Sequence, residues 1–432
     1  MCAQLLSTQP YKGTRDFYPD DMRLRNWFFG KIRQTLELSA FEEYNGPMLE
    51  SLELYAAKSG EEIATKQTYN FLDRADRSLA IRPEMTPTVA RMVAGKINEL
   101  NMPLKWFSIP NMYRYEATQR GRLREFWQLN VDIFGCDTFE ADLEVIASAI
   151  RILRAYGADE TMFTVRINNR RFFNDVVAAI AGTDTEGSRK VSKVIDRKNK
   201  VTREAYEKDL LELGLTDAQI AQIDALYQMD VYEATALCPD SAGAQELRSL
   251  FDALEKTGML PYCVFDFGII RGLDYYTGTV FEVFDNAPEN NRAMFGGGRY
   301  DNLVGLFVKN TNVSGVGFGF GDVTLENFLF THGLVPETFG TGVKVLVTRF
   351  DDVPYENYIN TVEALRNAGI VSSVYLGSKK FGKQIDFAAK DGYSHVVIMG
   401  GDELARGVIR LKNLNTREES EMTLDEAIKT LC

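Results

Sequence analysis

Residues 112–132 hold the densest set of groups able to do chemistry. Arg114 and Glu116 stand two positions apart, a spacing that a strand turns to one face. The loop that follows, 117–124, carries Gln119, Arg120, Arg122 and Arg124. In the return segment Phe126, Gln128, Asn130 and Asp132 alternate with Trp127, Leu129, Val131 and Ile133, so one face is polar and the other apolar. A hairpin displaying cations, a ring, an amide and a carboxylate is poorly explained as packing, because buried polar groups need partners. Arginine suits an anionic ligand, since its planar fork holds two oxyanions at once and keeps its proton. A second stretch, Arg271 to Glu282, joins a fixed cation and two adjacent phenols, Tyr275 and Tyr276, to an apolar strand signal. That combination reads as an anion site beside a specificity pocket. In a third stretch Glu84 directly follows Pro83, a position where an acid would equally open a helix.

The 271–282 stretch resembles a motif peculiar to histidyl-tRNA synthetases, and the 112–132 hairpin resembles motif 2 of class II synthetases. The resemblance implies that Arg114 binds the α-phosphate of ATP, Glu116 reads the adenine amino group and Phe126 stacks on the adenine. It puts Arg122 and Arg124 at the ATP phosphates and the tRNA acceptor end, and Gln119 and Arg120 at the tRNA. Residues 81–91 are similar to the family's Arg-Pro-Glu-x-Thr motif, which gives Glu84 and Thr86, with Gln128, the α-ammonium of histidine; Met85 stands where the family usually has glycine. Asp132 and Tyr276 match the family's pair for imidazole, and Tyr275 joins that pocket. A neutral imidazole offers one donor and one acceptor, so a carboxylate and a phenol on opposite sides satisfy it. Such a site rejects side chains lacking those groups strongly enough to need no editing domain. Arg271 matches the arginine that bridges the carboxylate and the α-phosphate, with Mg²⁺ holding the departing pyrophosphate. Residues 295–301 are expected as a glycine-rich turn against the substrate.

Two positions depart from the family. Residues 315–321 resemble the glycine-rich strand of motif 3, but Thr324 occupies the place of the arginine expected at the γ-phosphate. Ala117 lies where relatives often carry an arginine for the tRNA 5′ end. The activity implied is that of a histidine–tRNA ligase acting on histidine, ATP and histidine tRNA, as a homodimer. Two alternatives stay open: a non-catalytic regulator of histidine biosynthesis, and another class II synthetase with the same C-terminal domain.

These residues require positioning elements. Leu24, Phe28, Ile32 and Leu36 recur every fourth position and predict a helix capped by Asp20. An edge or interface strand is expected around Pro47, the arrangement of motif 1, which in the family builds the dimer interface. Strand signals between 63 and 135, and again from 264 to 321, predict an antiparallel sheet. Residues 169–258 read as an inserted helical domain with a basic run, Arg189 to Lys208, that is either a solvated face or an RNA contact. The expected architecture is an α+β catalytic domain of class II type over 1–328, a linker at 329–341 and an α/β anticodon-binding domain at 342–432.

Composition narrows the function further. The net charge of −12 over 432 residues excludes a general nucleic-acid coat, so any RNA contact must be local. Five scattered cysteines and two histidines argue against zinc or a disulfide framework and for a reducing cytosol. We read no signal peptide and no membrane span.

Overall fold

The apolar repeat of residues 28–36 forms the buried side of α1 (Pro19–Leu38) in the computed structural model, which describes residues 6–56, 66–183, 185–195, 197–198, 201–270, 275–290, 292–309, 311–337, 339 and 343–432. The helix starts earlier than expected. Pro19 takes the first position, where a missing N–H costs nothing, Tyr18 becomes the N-cap and donates its N–H to Asp21 Oδ2 at 2.8 Å, and Asp20 lies inside the helix.

Two short strands, β1 (Glu42–Glu43) and β2 (Leu49–Ser51), flank Pro47 and belong to different sheets. After α2 (Leu52–Ala56), β3 (Tyr69–Leu72) and β4 (Ser78–Ile81) complete a three-stranded sheet with β2. Then α3 (Thr86–Gly95) leads to β5 (Leu104–Ser108), β6 (Asn111–Tyr113) and β7 (Glu125–Phe134), and α4 (Phe139–Ala155) to β8 (Phe163–Asn169). Six helices follow: α5 (Arg170–Ala181), α6 (Thr185–Ile195), α7 (Arg203–Glu212), α8 (Asp217–Ala225), α9 (Val231–Ala236) and α10 (Ala242–Lys256). The chain returns through β9 (Cys263–Phe265), β10 (Thr279–Asp285), β11 (Ala293–Tyr300) and β12 (Gly315–Gly321) to α11 (Asp322–Thr331).

The main sheet runs β1-β5-β7-β12-β11-β10-β8-β9, with β6 also on β7, and only β1–β5 and β8–β9 are parallel. Its apolar face receives Leu129, Val131 and Ile133 of β7, packed with residues of α1 and α4 in one core. Phe172 and Phe173 of α5 and Leu247 and Leu250 of α10 belong to that same core. Residues of the helical segment 169–258 thus contribute to the same core as the sheet.

The first unit ends at Val335; α11 runs to Thr331 with Leu329 buried, and Leu334 and Val335 pack against the same core. The second unit begins at Pro336 and has separate cores. It comprises β13 (Lys344–Val347), α12 (Tyr355–Asn367), β14 (Val371–Val374), α13 (Phe381–Lys390), β15 (His395–Ile398), α14 (Gly401–Arg406), β16 (Ile409–Asn413), β17 (Glu419–Met422) and α15 (Leu424–Leu431). Its sheet, β14-β13-β15-β16-β17, is parallel across β14, β13 and β15 and antiparallel beyond. Among the described residues no helix is long and apolar enough to cross a membrane.

Candidate active site

The polar face of the main sheet is floored by glycines because side chains from neighbouring strands lie across them. A Cβ at Gly317 would come within 2.4 Å of Asp132 Oδ1, one at Gly319 within 2.4 Å of Gln128 Nε2, and one at Gly298 within 3.1 Å of the Tyr276 ring. In register, Asp132 faces Gly317 and Gly317 faces Gly298. Asp132 and Tyr276 thus lie over neighbouring strands of one glycine floor. The expected turn at 295–301 is in fact most of β11: Gly298 lies against the Tyr276 ring, while a Cβ at Gly296 or Gly297 would meet the backbone oxygen of Phe281 or Gly317.

Asp132 is buried; Tyr300 OH donates to its Oδ1 at 2.5 Å, while Oδ2 has no partner among the described residues. Burial pushes the Asp132 carboxyl up to about 7, and the Tyr300 hydrogen bond opposes that rise. Burial, then the charges of Glu84 and Asp132, push the Tyr276 phenol upward, so it is a donor at neutral pH. Tyr275 OH donates to Glu84 Oε2 at 3.2 Å. Gln128 Nε2 donates to Asn130 Oδ1 at 2.6 Å, continuing the polar row along β7. Met85 is fully buried, and its Cε lies 2.9 Å from where a Cβ at Gly46 would stand, so its side chain packs toward Gly46.

Alongside the glycine floor opens a cavity of about 1740 Å³, lined by Arg114, Glu116, Gln119, Arg120, Arg122 and Phe126 among others. Arg114 and Glu116 lie just beyond β6, which ends at Tyr113, so strand alternation does not place them. Arg114 is set instead by Nε donating to Pro83 O at 2.9 Å and by its position 5.3 Å over the Phe126 ring. Gln119 and Arg122 exchange backbone hydrogen bonds around Arg120 and Gly121, whose φ of +79° suits glycine. Arg122 Nη1 reaches Glu116 Oε2 at 3.4 Å. Arg124 does not line the cavity; it donates to Tyr11 OH at 2.7 Å and its guanidinium lies 4.3 Å over the Tyr115 ring, so two aromatic side chains hold it. Arg271 lies outside the described residues, although Arg170 fastens both flanks of its segment by donating to Ile270 O and Tyr276 O.

Sequence reasoning passed over two side chains of the 295–301 stretch. Tyr300 orients Asp132, and the signal for it was present: read as a strand, the segment puts Tyr300 on the face of Gly296 and Gly298. Arg299 is buried and pairs with Asp142 at 2.7 Å, a structural tie between β11 and α4.

Residues 13–322 match the family described as histidyl-tRNA synthetase, and 344–432 match the anticodon binding domain. The chain belongs to the histidyl-tRNA synthetase family. A histidine–tRNA ligase of Leptospira biflexa is 43% identical, covering 100% of this chain and 99% of that protein, and one of Opitutus terrae is 38% identical over 97% and 96%. The crystal structure of histidyl-tRNA synthetase from Nostoc shares the architecture at a TM-score of 0.80, with 25% identity over 99% of this chain and 100% of that one. A Bacillus halodurans structure, described as an ATP phosphoribosyltransferase regulatory subunit/histidyl-tRNA synthetase, shares the fold at a TM-score of 0.74 with 23% identity, covering 91% of this chain and 99% of that one.

Asp322, the first residue of α11, has a structural role: it accepts from Arg15 at 2.7 Å, Arg25 at 2.6 Å and the Trp127 N–H at 3.0 Å. Thr324 lines the cavity, and its hydroxyl donates to Met294 O at 2.9 Å and Gly321 O at 3.0 Å. Within the basic run, Arg197 pairs with Asp209, Lys198 with Asp224, Arg203 with Glu207 and Asp224, and Lys208 with Glu212. That pairing favours a structural face over an RNA contact.

Proposed function

We propose that this chain is a histidine–tRNA ligase, which activates histidine with ATP and passes it to the 3′ end of histidine tRNA. The observation that carries the substrate assignment is Asp132 with one oxygen oriented by Tyr300 and the other without a partner among the described residues, over the same glycine floor as Tyr276. Imidazole is the side chain that needs one acceptor and one donor across such a gap.

In the first step the histidine carboxylate attacks the α-phosphorus and pyrophosphate leaves, with no proton to be removed, so catalysis reduces to orientation and charge stabilisation. Arg114 supplies charge at the α-phosphate while Phe126 and Glu116 hold the adenine. Glu84 and Thr86 hold the α-ammonium with Gln128, and Arg271 bridges the two reacting groups. Mg²⁺ travels with ATP and neutralises the leaving pyrophosphate when bound; Glu282, a cavity-lining carboxylate, fits it, because Mg²⁺ takes one or two carboxylates alongside phosphates and water. In the second step Gln119 and Arg120 guide the acceptor end, and the 336–432 unit grips the anticodon.

The active form is a homodimer in the cytosol. Exposed Met48, Leu49, Phe71 and Leu72, on and beside the small sheet, support a partner face there. The four cysteines among the described residues, Cys136, Cys238, Cys263 and Cys432, are free, which suits a reducing compartment.

The test is ATP–pyrophosphate exchange across a panel of amino acids. Histidine alone should support it. Comparable exchange with proline, threonine or glycine would sink the substrate assignment, and no exchange with any amino acid would point to a non-catalytic regulator.

A further inference from the structure

The triphosphate of ATP needs cations at both ends, and the departing pyrophosphate gains charge as the reaction proceeds. Arg114, beside Phe126, serves the α-phosphate end. At the far end Thr324 contributes only a hydroxyl, and that hydroxyl already donates to Met294 O and Gly321 O.

Five described arginines line the cavity: Arg114, Arg120, Arg122, Arg166 and Arg292. Three are engaged, Arg114 with Pro83 O, Arg122 with Glu116 and Arg166 with Asp266. Arg120 and Arg292 have no ion pair or hydrogen bond to another described residue.

Arg292 is the better placed of the two. It directly precedes β11, where the pairing with β10 slips: Val283 faces Phe295 and Phe284 faces Ala293, which leaves Met294 without a β10 partner. Such a bulge re-aims the side chains next to it. The bulged Met294 is also the residue whose carbonyl accepts the Thr324 hydroxyl. Arg292 therefore enters the cavity two residues from the anchor of Thr324, at the first turn of α11, where Val323 and Thr324 line the wall. Arg120 sits at the tip of a tight turn, whereas Arg292 is held by the strand that begins at the next residue, and a group anchored to a regular element holds a ligand more rigidly than one on a loop.

We propose that Arg292 binds the terminal phosphates of ATP, and the pyrophosphate derived from them, in place of the cation missing at 324. The inference rests on the ATP-dependent activity proposed above. The full-length protein tests both in one assay, histidine-dependent ATP–pyrophosphate exchange, with pyrophosphate and AMP as inhibitors of adenylate formation. Arg292→Ala should raise the KM for ATP and weaken pyrophosphate inhibition by about tenfold or more, the usual effect of losing a charged hydrogen bond. The KM for histidine and inhibition by AMP should stay within about twofold, and Arg292→Lys should fall between. Because Arg292 is exposed, the variants should match wild type in thermal midpoint. Exchange by wild type with unchanged pyrophosphate inhibition in Arg292→Ala would overturn the inference alone, as would equal weakening of AMP and pyrophosphate. Absence of exchange in wild type would overturn the activity and the inference together.

Discussion

The Asp132–Tyr300 pair shows how one hydroxyl tunes a recognition carboxylate. Burial holds the Asp132 pKa at about 7, while the hydrogen bond from Tyr300 pulls it down. Between the ordinary carboxylate value of 3.8 and about 7, the folded state keeps a proton that the unfolded chain has lost, so this group's contribution to stability falls as pH rises through that window. The ionised form is the better acceptor for an imidazole N–H, so kcat/KM for histidine should rise through an inflection near 7. In Tyr300→Phe the inflection should move to higher pH, whereas the titration of free histidine cannot move with the protein. An inflection at the same pH in both proteins would detach Tyr300 from Asp132. At the phosphate end, Arg114→Ala should slow single-turnover adenylate formation by about 10²–10³, the effect of deleting one preorganised donor. Wild-type speed would remove Arg114 from the reaction.

At the scale of elements, β11 and β12 are glycine-rich because a Cβ has no room there: Asp132 and Gln128 of β7 lie across Gly317 and Gly319, Tyr276 across Gly298 and Tyr300 across Gly315, and backbone oxygens crowd Gly296 and Gly297. A methyl group at Gly317 meets both Val131 O at 2.3 Å and Asp132 Oδ1 at 2.4 Å, and the backbone oxygen cannot yield. Gly317→Ala should therefore cost about 1–3 kcal/mol in thermal or denaturant unfolding, as overpacking does, and abolish histidine-dependent exchange. Gly382→Ala is the control: nothing lies within 4 Å of its added methyl and it sits in α13, so it should be neutral or stabilising by up to about 1 kcal/mol. Equal stability of the two variants would mean that the glycine floor tolerates side chains.

At the scale of the molecule, the two units have independent cores, and every described residue of the proposed histidine and ATP sites lies in the first. Removing 336–432 should leave a folded protein that forms adenylate at close to the full rate but charges tRNA poorly. Full charging by the truncated protein would show that the second unit is no tRNA contact. The acidic whole, with a net charge of −12, fits this division, because it confines RNA binding to local patches. Arg197, Arg203 and Lys208 of the basic run are each engaged by a carboxylate of the same helical segment.

Alternation and helical spacing were enough to read the polar face of residues 126–132 and the buried side of α1, since these periods are written in consecutive residues. Motif order along the chain likewise marked Arg114, Glu84, Asp132 and Tyr276. The tertiary structure decided what depends on neighbours distant in sequence. A glycine has no side chain to betray a strand, so β11 looked like a turn until its partners β10 and β12 were in place. The same holds for Tyr300, which finds Asp132 only across paired strands, and for Arg124, which turns to Tyr11 more than a hundred residues away. Side-chain direction at such positions is set by strand register and by competition among partners, and a linear sequence encodes neither locally.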